Sequence, residues 1–407
     1  MKKIELLAPA GDLEKLIIAI DYGADAVYFG GEMFGLRAGA GNFSIDEIRL
    51  GVDYAHAHNR KAYMAINIFA HNADINQLGS YLDEIKDIPI DAYIVSDPGI
   101  FLEIRAKLPL AEIHLSTQAN TTNYKSAEFW YNQGVKRIVL ARELSFAEIR
   151  ELRANIPTDL EIEAFVQGAM CISYSGRCLM SNVMADRDAN RGACAHPCRW
   201  NYHLVEEKRP GEYYPVFEDE RGTYVFNSKD LSMLAHIPEI IESGLTSAKI
   251  EGRMKSVFYV ATVVGIYRRA IDSYYRDPQN YRFNPESLIE LRKVSHRNFT
   301  TGFYLEKPTD KDQNYLTSSY TREYVFLGIV HSYDPKSQLA VIEQRNRLFL
   351  GDTIEVFGPY TDFFSQVITI MLDEDGEAIE SAPHAQQMIQ IKMDQPVKRN
   401  FMLRKLK

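Results

Sequence analysis

The sequence predicts a TIM-type (β/α)8 barrel with a cysteine-rich insertion after its seventh strand, followed by a small C-terminal β-barrel domain. Three observations predict it. Short apolar runs rich in β-branched and aromatic residues alternate with amphipathic segments through the first 170 residues, and an eighth such unit follows the cysteines. Every cysteine of the 407-residue chain falls between Cys171 and Cys198, directly after the seventh such run. From Tyr324 onward no helical period appears, and alternating apolar residues meet turn signals at Asp334-Pro335 and Gly351-Asp352. A doubly wound open sheet is the competing arrangement. Its glycine-rich candidate, "GAGNFS" at Gly39–Ser44, departs from G-x-G-x-x-G and follows the second strand, so it reads as a loop.

The elements follow in order. "IELLAPAG" is a strand, and "DLEKLIIAIDYG" its helix, with Asp12 as N-cap and Gly23 as stop. "ADAVYFGG" leads to "SIDEIRLGVDYAHAHN", where Ser44 and Glu47 fit a capping box. "KAYMAINIFA" leads to "DINQLGSYLDEI", and "DAYIVSDPG" to "IFLEIRAKL". "EIHLSTQANTT" leads to "YKSAEFWYNQG", which Gly134 ends. "KRIVLARELS" leads to "FAEIRELRANI", capped by Ser145 and Glu148, and "DLEIEAFVQGAM" is the seventh strand. Beyond the cysteines come a helix, "DLSMLAHIPEIIESG", an eighth strand, "SAKIEGRM", and a long final helix, "SVFYVATVVGIYRRAIDSYYRD". The domain reading is a barrel over 1–285 with the cysteine-rich insertion at 171–228. A helical or extended connector covers 286–323, and the β-barrel domain 324–407. The last twelve residues, "PVKRNFMLRKLK", carry five basic side chains and no acidic one. They read as a solvated final strand or as a phosphate-contacting patch.

Composition sets outer bounds. Hydrophobic content of 46% and charged content of 25% are those of a globular protein, and no apolar run approaches a membrane span. "MKKIELLAPAGD" breaks at Pro9 and Gly11, too early for a secretory signal, so a cytoplasmic location is expected. In that compartment clustered cysteines bind metal or do chemistry more often than they form disulfides. The net charge of −9 argues against a generally basic nucleic-acid coat.

The barrel predicts where chemistry belongs, because such sites lie at the C-terminal ends of the strands. Polar residues at those places are Arg37, Asn42, Asn67, Asp97, Arg142, Glu143, Glu163, Gln167, Lys249, Glu251 and Arg253, with His114, Ser116, Gln118 and Asn120 alternating along the fifth strand. Polar groups aimed into a barrel need partners, so they form either a structural network or a pocket. Glu163, Gln118 and Glu251 together favour a pocket, and the cations favour an anionic ligand. The cysteine spacing is C-x6-C-x15-C-x3-C. Zinc, an iron–sulfur cluster and free or bridged thiols all remain open on that spacing, since only Cys194 and Cys198 form a zinc-like pair. H-E-x-x-H and G-x-S-x-G are absent, and a Cys–His nucleophile at His196 would need one cysteine to escape ligation.

"EAFVQGAMCISYSGRCLMSN" closely resembles the signature of peptidase family U32, the collagenase-like proteins. "LSTQANTTN", "LARELS", "NSKDL", "KIEGRMKS" and "SHRNFTTGFY" resemble further blocks of that family, and "GDTIEVFGP" the tail of its tRNA-hydroxylating branch. The resemblance implies oxygen-independent hydroxylation of a tRNA wobble uridine to 5-hydroxyuridine, dependent on prephenate. It implies a [4Fe-4S] cluster, with zinc as the alternative metal, on Cys171, Cys178, Cys194 and Cys198. The position that carries a cysteine in some relatives is Ser232 here, so the second pair must complete the set. The partners it implies are a tRNA anticodon loop, a small anionic co-substrate and a homologous subunit. On this reading Glu163 or Glu251 is the general base, and Gln118 and His114 complete the catalytic set. Arg142, Lys249, Arg253, Asn67 and Arg37 bind substrate. Tyr174, Trp200 or Tyr202 would stack on a base. The competing classes are a metal-dependent peptidase and a non-catalytic RNA-binding subunit.

Overall fold

In the computed structural model the described residues are 3–35, 41–170, 178–189, 192–197, 203–204, 214–215, 229–307 and 321–407. Strands β1 (Glu5–Pro9), β2 (Ala26–Phe29), β3 (Lys61–Ile66), β4 (Ala92–Val95), β5 (Ile113–Leu115), β6 (Arg137–Val139) and β7 (Glu161–Ala169) pair in parallel in chain order. Helices α1 (Leu13–Asp21), α2 (Ile45–Ala57), α3 (Asn72–Ile85), α4 (Pro98–Lys107), α5 (Tyr124–Asn132) and α6 (Phe146–Ala154) connect them. The expected caps are in place. Asp12 accepts from the Lys15 amide, and Ser44–Glu47 and Ser145–Glu148 form reciprocal capping boxes. Gly23 and Gly134 end α1 and α5 with φ of 105° and 87°.

Past β7 the chain makes its excursion. It contains α7 (Met180–Ala185) and the two-residue pair β8 (His203–Leu204) and β9 (Tyr214–Pro215). It returns as β10 (Asp230–Ser232), antiparallel to the far end of β7, with Asp230 opposite Ala169. This corrects the helix expected over "DLSMLAHIPEIIESG". β7 runs on past the barrel wall and leaves an edge whose amides need partners, so the first three residues extend along it. The helix, α8 (Ile237–Glu242), begins only after a turn at Leu234–His236, with a proline in its first turn. β11 (Ser247–Ile250) then closes the ring, parallel to β7 on one side and β1 on the other. The long helix α9 (Val257–Arg276), capped by Ser256, packs against β1 and α1.

The barrel interior is divided. Leu7, Ala26, Tyr28, Tyr63, Ala65, Ala92 and Ile94, from β1–β4, form an apolar cluster. The β5–β7 and β11 side buries His114, Arg137, Glu163 and Lys249 instead.

The connector contains α10 (Glu286–Arg292) and β12 (Phe299–Thr300), which pairs in parallel with β10. Beyond it, β13 (Tyr324–Asp334), β14 (Leu339–Gln344), β15 (Leu348–Phe349), β16 (Thr353–Phe357), β17 (Phe364–Val367), β18 (Met371–Leu372), β19 (Ser381–Ala382), β20 (Met388–Lys392) and β21 (Met402–Leu406) build the second domain. Seven of them form one curled antiparallel sheet in the order β17-β16-β21-β13-β14-β20-β18, and β15 and β19 form a ribbon. The expected β-barrel takes this form, around a separate core that includes Leu327, Ile342, Ile354 and Leu403. The domain is docked on the barrel. The Phe258 and Phe326 rings stack at 5.5 Å, and Tyr22 Oη donates to the Asn400 carbonyl. Arg404, fully buried, bonds to Glu290 and Glu355, both of which also hold Lys293. Arg404 and Lys405, which pairs with Asp352 at 2.6 Å, are therefore internal partners, while Lys398, Arg399 and Lys407 stay exposed.

Candidate active site at the barrel mouth

A pocket of about 530 Å³, counting its open mouth, lies at the C-terminal ends of the strands. Its wall changes character around the ring. Asn67 after β3, Ile94 on β4 and Ser116 to Gln118 after β5 make a neutral side. Arg142 after β6, and Lys249, Glu251 and Arg253 along and after β11, make a charged side. Tyr28 and Phe165 supply aromatic surface between them. The neutral side is braced internally. Ser116 Oγ accepts from the Gln118 amide at 3.3 Å and from Asn67 Nδ2 at 3.3 Å.

Each charged group is fixed by its surroundings. Arg142 Nη1 donates to the Ala169 carbonyl at 2.7 Å, and its guanidinium lies 5.2 Å from the Phe165 ring centre. Arg253 Nη2 donates to Asn42 Oδ1 at 2.9 Å. Its guanidinium lies against the Gly30 backbone, where a Cβ would approach Nη2 to 2.3 Å. Glu251 Oε2 accepts from Tyr28 Oη at 3.1 Å. Its backbone crosses Gly168, whose φ of 117° and crowding both require glycine. Lys249 Nζ sits 4.3 Å from the Tyr28 ring centre and 2.8 Å from Glu163 Oε1.

Glu163 leads downward. Its other oxygen accepts from Arg137 Nη1 at 3.0 Å, and Arg137 also bonds to Glu5 and Glu161. Burial pushes the Glu163 carboxyl up, but Lys249, Arg137 and His114 overcome it and hold it lowered to about 2. His114 is fully buried on the ring of Tyr63, with Nε2 2.9 Å from Glu112 Oε1. Burial lowers its pKa below the ordinary histidine value, with Arg137 adding to that and Glu112 opposing it.

The mouth thus brings together Asn67, Gln118, Arg142, Lys249, Glu251 and Arg253. Glu163 and His114 lie beneath that lining. A carboxylate bonded to two cations and lowered to about 2 is a weak proton acceptor, so the geometry gives Glu163 a supporting place instead of the mouth position expected for a base. Asp97 caps α4 through the Gly99 and Ile100 amides, and Gln167 turns to the Tyr267 hydroxyl on α9. Arg37 lies outside the described residues. Tyr28 and Phe165 went unremarked in the sequence, although Phe165 shares the strand face of Glu163 two residues away, which was the available signal.

Of the four cysteines, Cys178 and Cys194 are half-buried on the excursion from β7. His196 Nδ1 lies 3.7 Å from Cys194 Sγ. Partly shielded cysteine sulfurs are the donor chemistry an iron–sulfur cluster or a thiolate metal site uses. Cys171, Cys198, Tyr174, Trp200 and Tyr202 lie outside the described residues. Among the described residues no helix is long and apolar enough to cross a membrane.

Comparison with known sequences follows the same division of the chain. The model of "Peptidase family U32" matches residues 11–314, and that of "Peptidase family U32 C-terminal domain" matches residues 322–404. The chain is 44% identical to tRNA hydroxylation protein P1 of Bacillus subtilis over 99% of its own length and 95% of that protein's. It is 36% identical to tRNA hydroxylation protein P of Escherichia coli, covering 99% and 96%. A protein named collagenase from Porphyromonas gingivalis is 32% identical, covering 89% of each.

Proposed function

Because the chain belongs to peptidase family U32, we propose that it is a tRNA-modifying enzyme that hydroxylates tRNA, with wobble uridine as substrate and 5-hydroxyuridine as product. The observation that carries this reading is near-full-length identity of 44% to a relative named for tRNA hydroxylation. The pocket supports it. A single-stranded anticodon base can be splayed out of its loop into a barrel mouth. Phe165 and Tyr28 offer stacking surface, and the amides of Asn67 and Gln118 suit the polar edge of a pyrimidine. Arg142, Lys249 and Arg253 suit the carboxylates of a small anionic co-substrate of the prephenate kind. Glu251, hydrogen-bonded to Tyr28, is the mouth carboxylate placed to accept a proton.

Cys171, Cys178, Cys194 and Cys198 would hold a [4Fe-4S] cluster on the excursion that starts beside this pocket. When bound, it would supply one-electron chemistry to the site. Exposed Lys398, Arg399 and Lys407 would contact the tRNA backbone, in a cytoplasmic enzyme that works alone or with a homologous subunit.

The peptidase reading rests on the collagenase-named relative. Among the described residues no histidine or cysteine lines the pocket, so a Ser116 nucleophile has no imidazole base among them.

The test is nucleoside analysis of tRNA from cells lacking the gene, complemented with wild type or Glu251→Gln, alongside iron and sulfide analysis of anaerobically purified protein. Expected are 5-hydroxyuridine derivatives restored by wild type alone and about four irons per chain. Unchanged tRNA in the deletion, with peptide cleavage by the pure protein, would overturn the proposal in favour of the hydrolase.

A further inference from the structure

We propose that Glu163 is a positioning residue for Lys249, holding its ammonium aimed at the mouth as a fixed anchor for an anionic ligand. The inference rests on reading the pocket as anion-binding.

Charges alternate down one side of the barrel. Lys249 meets Glu163 at 2.8 Å, Glu163 meets Arg137 at 3.0 Å, and Arg137 meets Glu5 at 2.5 Å and Glu161 at 2.6 Å. The upper end, Lys249, lines the pocket, while the lower end, Glu5 and Glu161, is 15% and 20% exposed. Buried ion chains of this kind contribute little to stability compared with apolar packing of the same volume. The apolar alternative is present in the same barrel, since β1–β4 fill their half with Leu7, Ala65 and Ile94. The ionic half therefore calls for a reason other than packing, and that reason lies where the chain of charges reaches the pocket.

Lys249 faces groups of both kinds. Arg142 and Arg253 line the same pocket, while Glu251 lies on the adjoining chain. The rings of Tyr28 and Phe165 flank the ammonium at 4.3 and 5.4 Å. Glu163, beneath, is the carboxylate in direct contact. Arg137 keeps that carboxylate ionised without itself touching Lys249's pocket face. The ammonium is thus tethered from below, and its approachable side points into the space a ligand would fill.

Reductive methylation with formaldehyde, followed site by site by mass spectrometry on the full-length, anaerobically purified protein, tests this directly. Lys125, 73% exposed and on the outer surface, is the internal reference. Glu163→Gln is expected to speed labelling at Lys249 about tenfold while leaving Lys125 unchanged, as loss of one charge-assisted bond implies. Glu163→Asp should restore slow labelling. Glu161→Gln, which removes a partner of Arg137 but leaves the Glu163–Lys249 contact, should leave Lys249 at its wild-type rate. In turnover, Glu163→Gln should raise KM for the anionic co-substrate more than it lowers kcat. Lys249 labelling unchanged in Glu163→Gln, or raised equally by Glu161→Gln, would overturn the proposal. The labelling result stands whether or not tRNA proves to be the substrate.

Discussion

Replacing Gly30 with alanine asks how tightly the pocket holds Arg253. Gly30 has an ordinary backbone conformation, so an alanine there brings no φ strain. Its Cβ would meet Arg253 Nη2 at 2.3 Å and Cζ at 2.9 Å, whereas ordinary contact begins at 3.4 Å. The guanidinium must therefore retreat by about 1 Å, breaking its bond to Asn42. A displacement of that size in a substrate-orienting group costs up to about 100-fold in rate, and loss of one charge-assisted contact to an anion about 10-fold or more. The fold should be nearly indifferent. The reduced entropy of the unfolded chain contributes roughly 0.4–1 kcal/mol in the alanine's favour, against roughly 1 kcal/mol for the lost hydrogen bond. The assay is kcat and KM for the proposed small anionic co-substrate in the proposed tRNA hydroxylation, with thermal melting measured in parallel. The expected result is KM raised between about 10- and 100-fold with Tm within roughly 2 °C of wild type. Wild-type kinetics would refute the placement of Arg253 as a ligand anchor, and so would a collapse in Tm, because the loss would then be one of folding.

Gly168→Ala should be harsher. It combines a φ of 117° with a 2.7 Å approach to the Glu251 carbonyl oxygen, so a stability loss of at least about 1 kcal/mol with reduced kcat is expected by melting and turnover. Arg404→Met leaves Glu290 and Glu355 sharing Lys293 alone in a buried cluster. It should cost about 3 kcal/mol in denaturant unfolding, and a loss below about 1 would show the cluster to be solvated. At low pH, Glu163 contributes stability in a defined window. Burial raises its pKa, and Lys249, Arg137 and His114 reverse that to bring it from 4.5 to about 2, so its contribution is full above about pH 4.5 and fades as pH falls toward 2. Glu163→Gln should accordingly show a flatter acid-unfolding limb between those values, and an unchanged slope would argue against the ion chain.

Much of the fold was legible because it is written locally. Asp12, Ser44 and Ser145 cap their helices within three residues, and each strand of the ring pairs with its neighbour in chain order apart from the closing strand. The segment 230–232 was not legible, because its extended form depends on an edge of β7 that lies sixty positions earlier. Site depth was also hidden. Glu163 and Lys249 both read as strand-end residues, yet the register sets Glu163 opposite Ser247 and Lys249 opposite Phe165, two residues higher. That offset separates a residue of the floor from a residue of the wall, and only pairing reveals it. The alternation Glu161, Glu163 in "DLEIEAF", together with Arg137 inside an apolar strand, was a usable hint of an interior ion chain.

Strand β7 serves two masters at its far end. One edge of its upper half continues the barrel toward β11, and the other receives β10, so residues 170–229 leave from and return to a single point on the wall. In polymer terms, the ends of that excursion are held together by the ladder whatever lies between them. The closure entropy of so long a loop is met by the hairpin-like pairing, and grows only with the logarithm of its length. The excursion can therefore lengthen, shorten or change its chemistry with little thermodynamic consequence for the ring. The cysteine segment is in that sense a module plugged into a socket, and a melting transition of the barrel that persists when its thiols are replaced would be the mark of it.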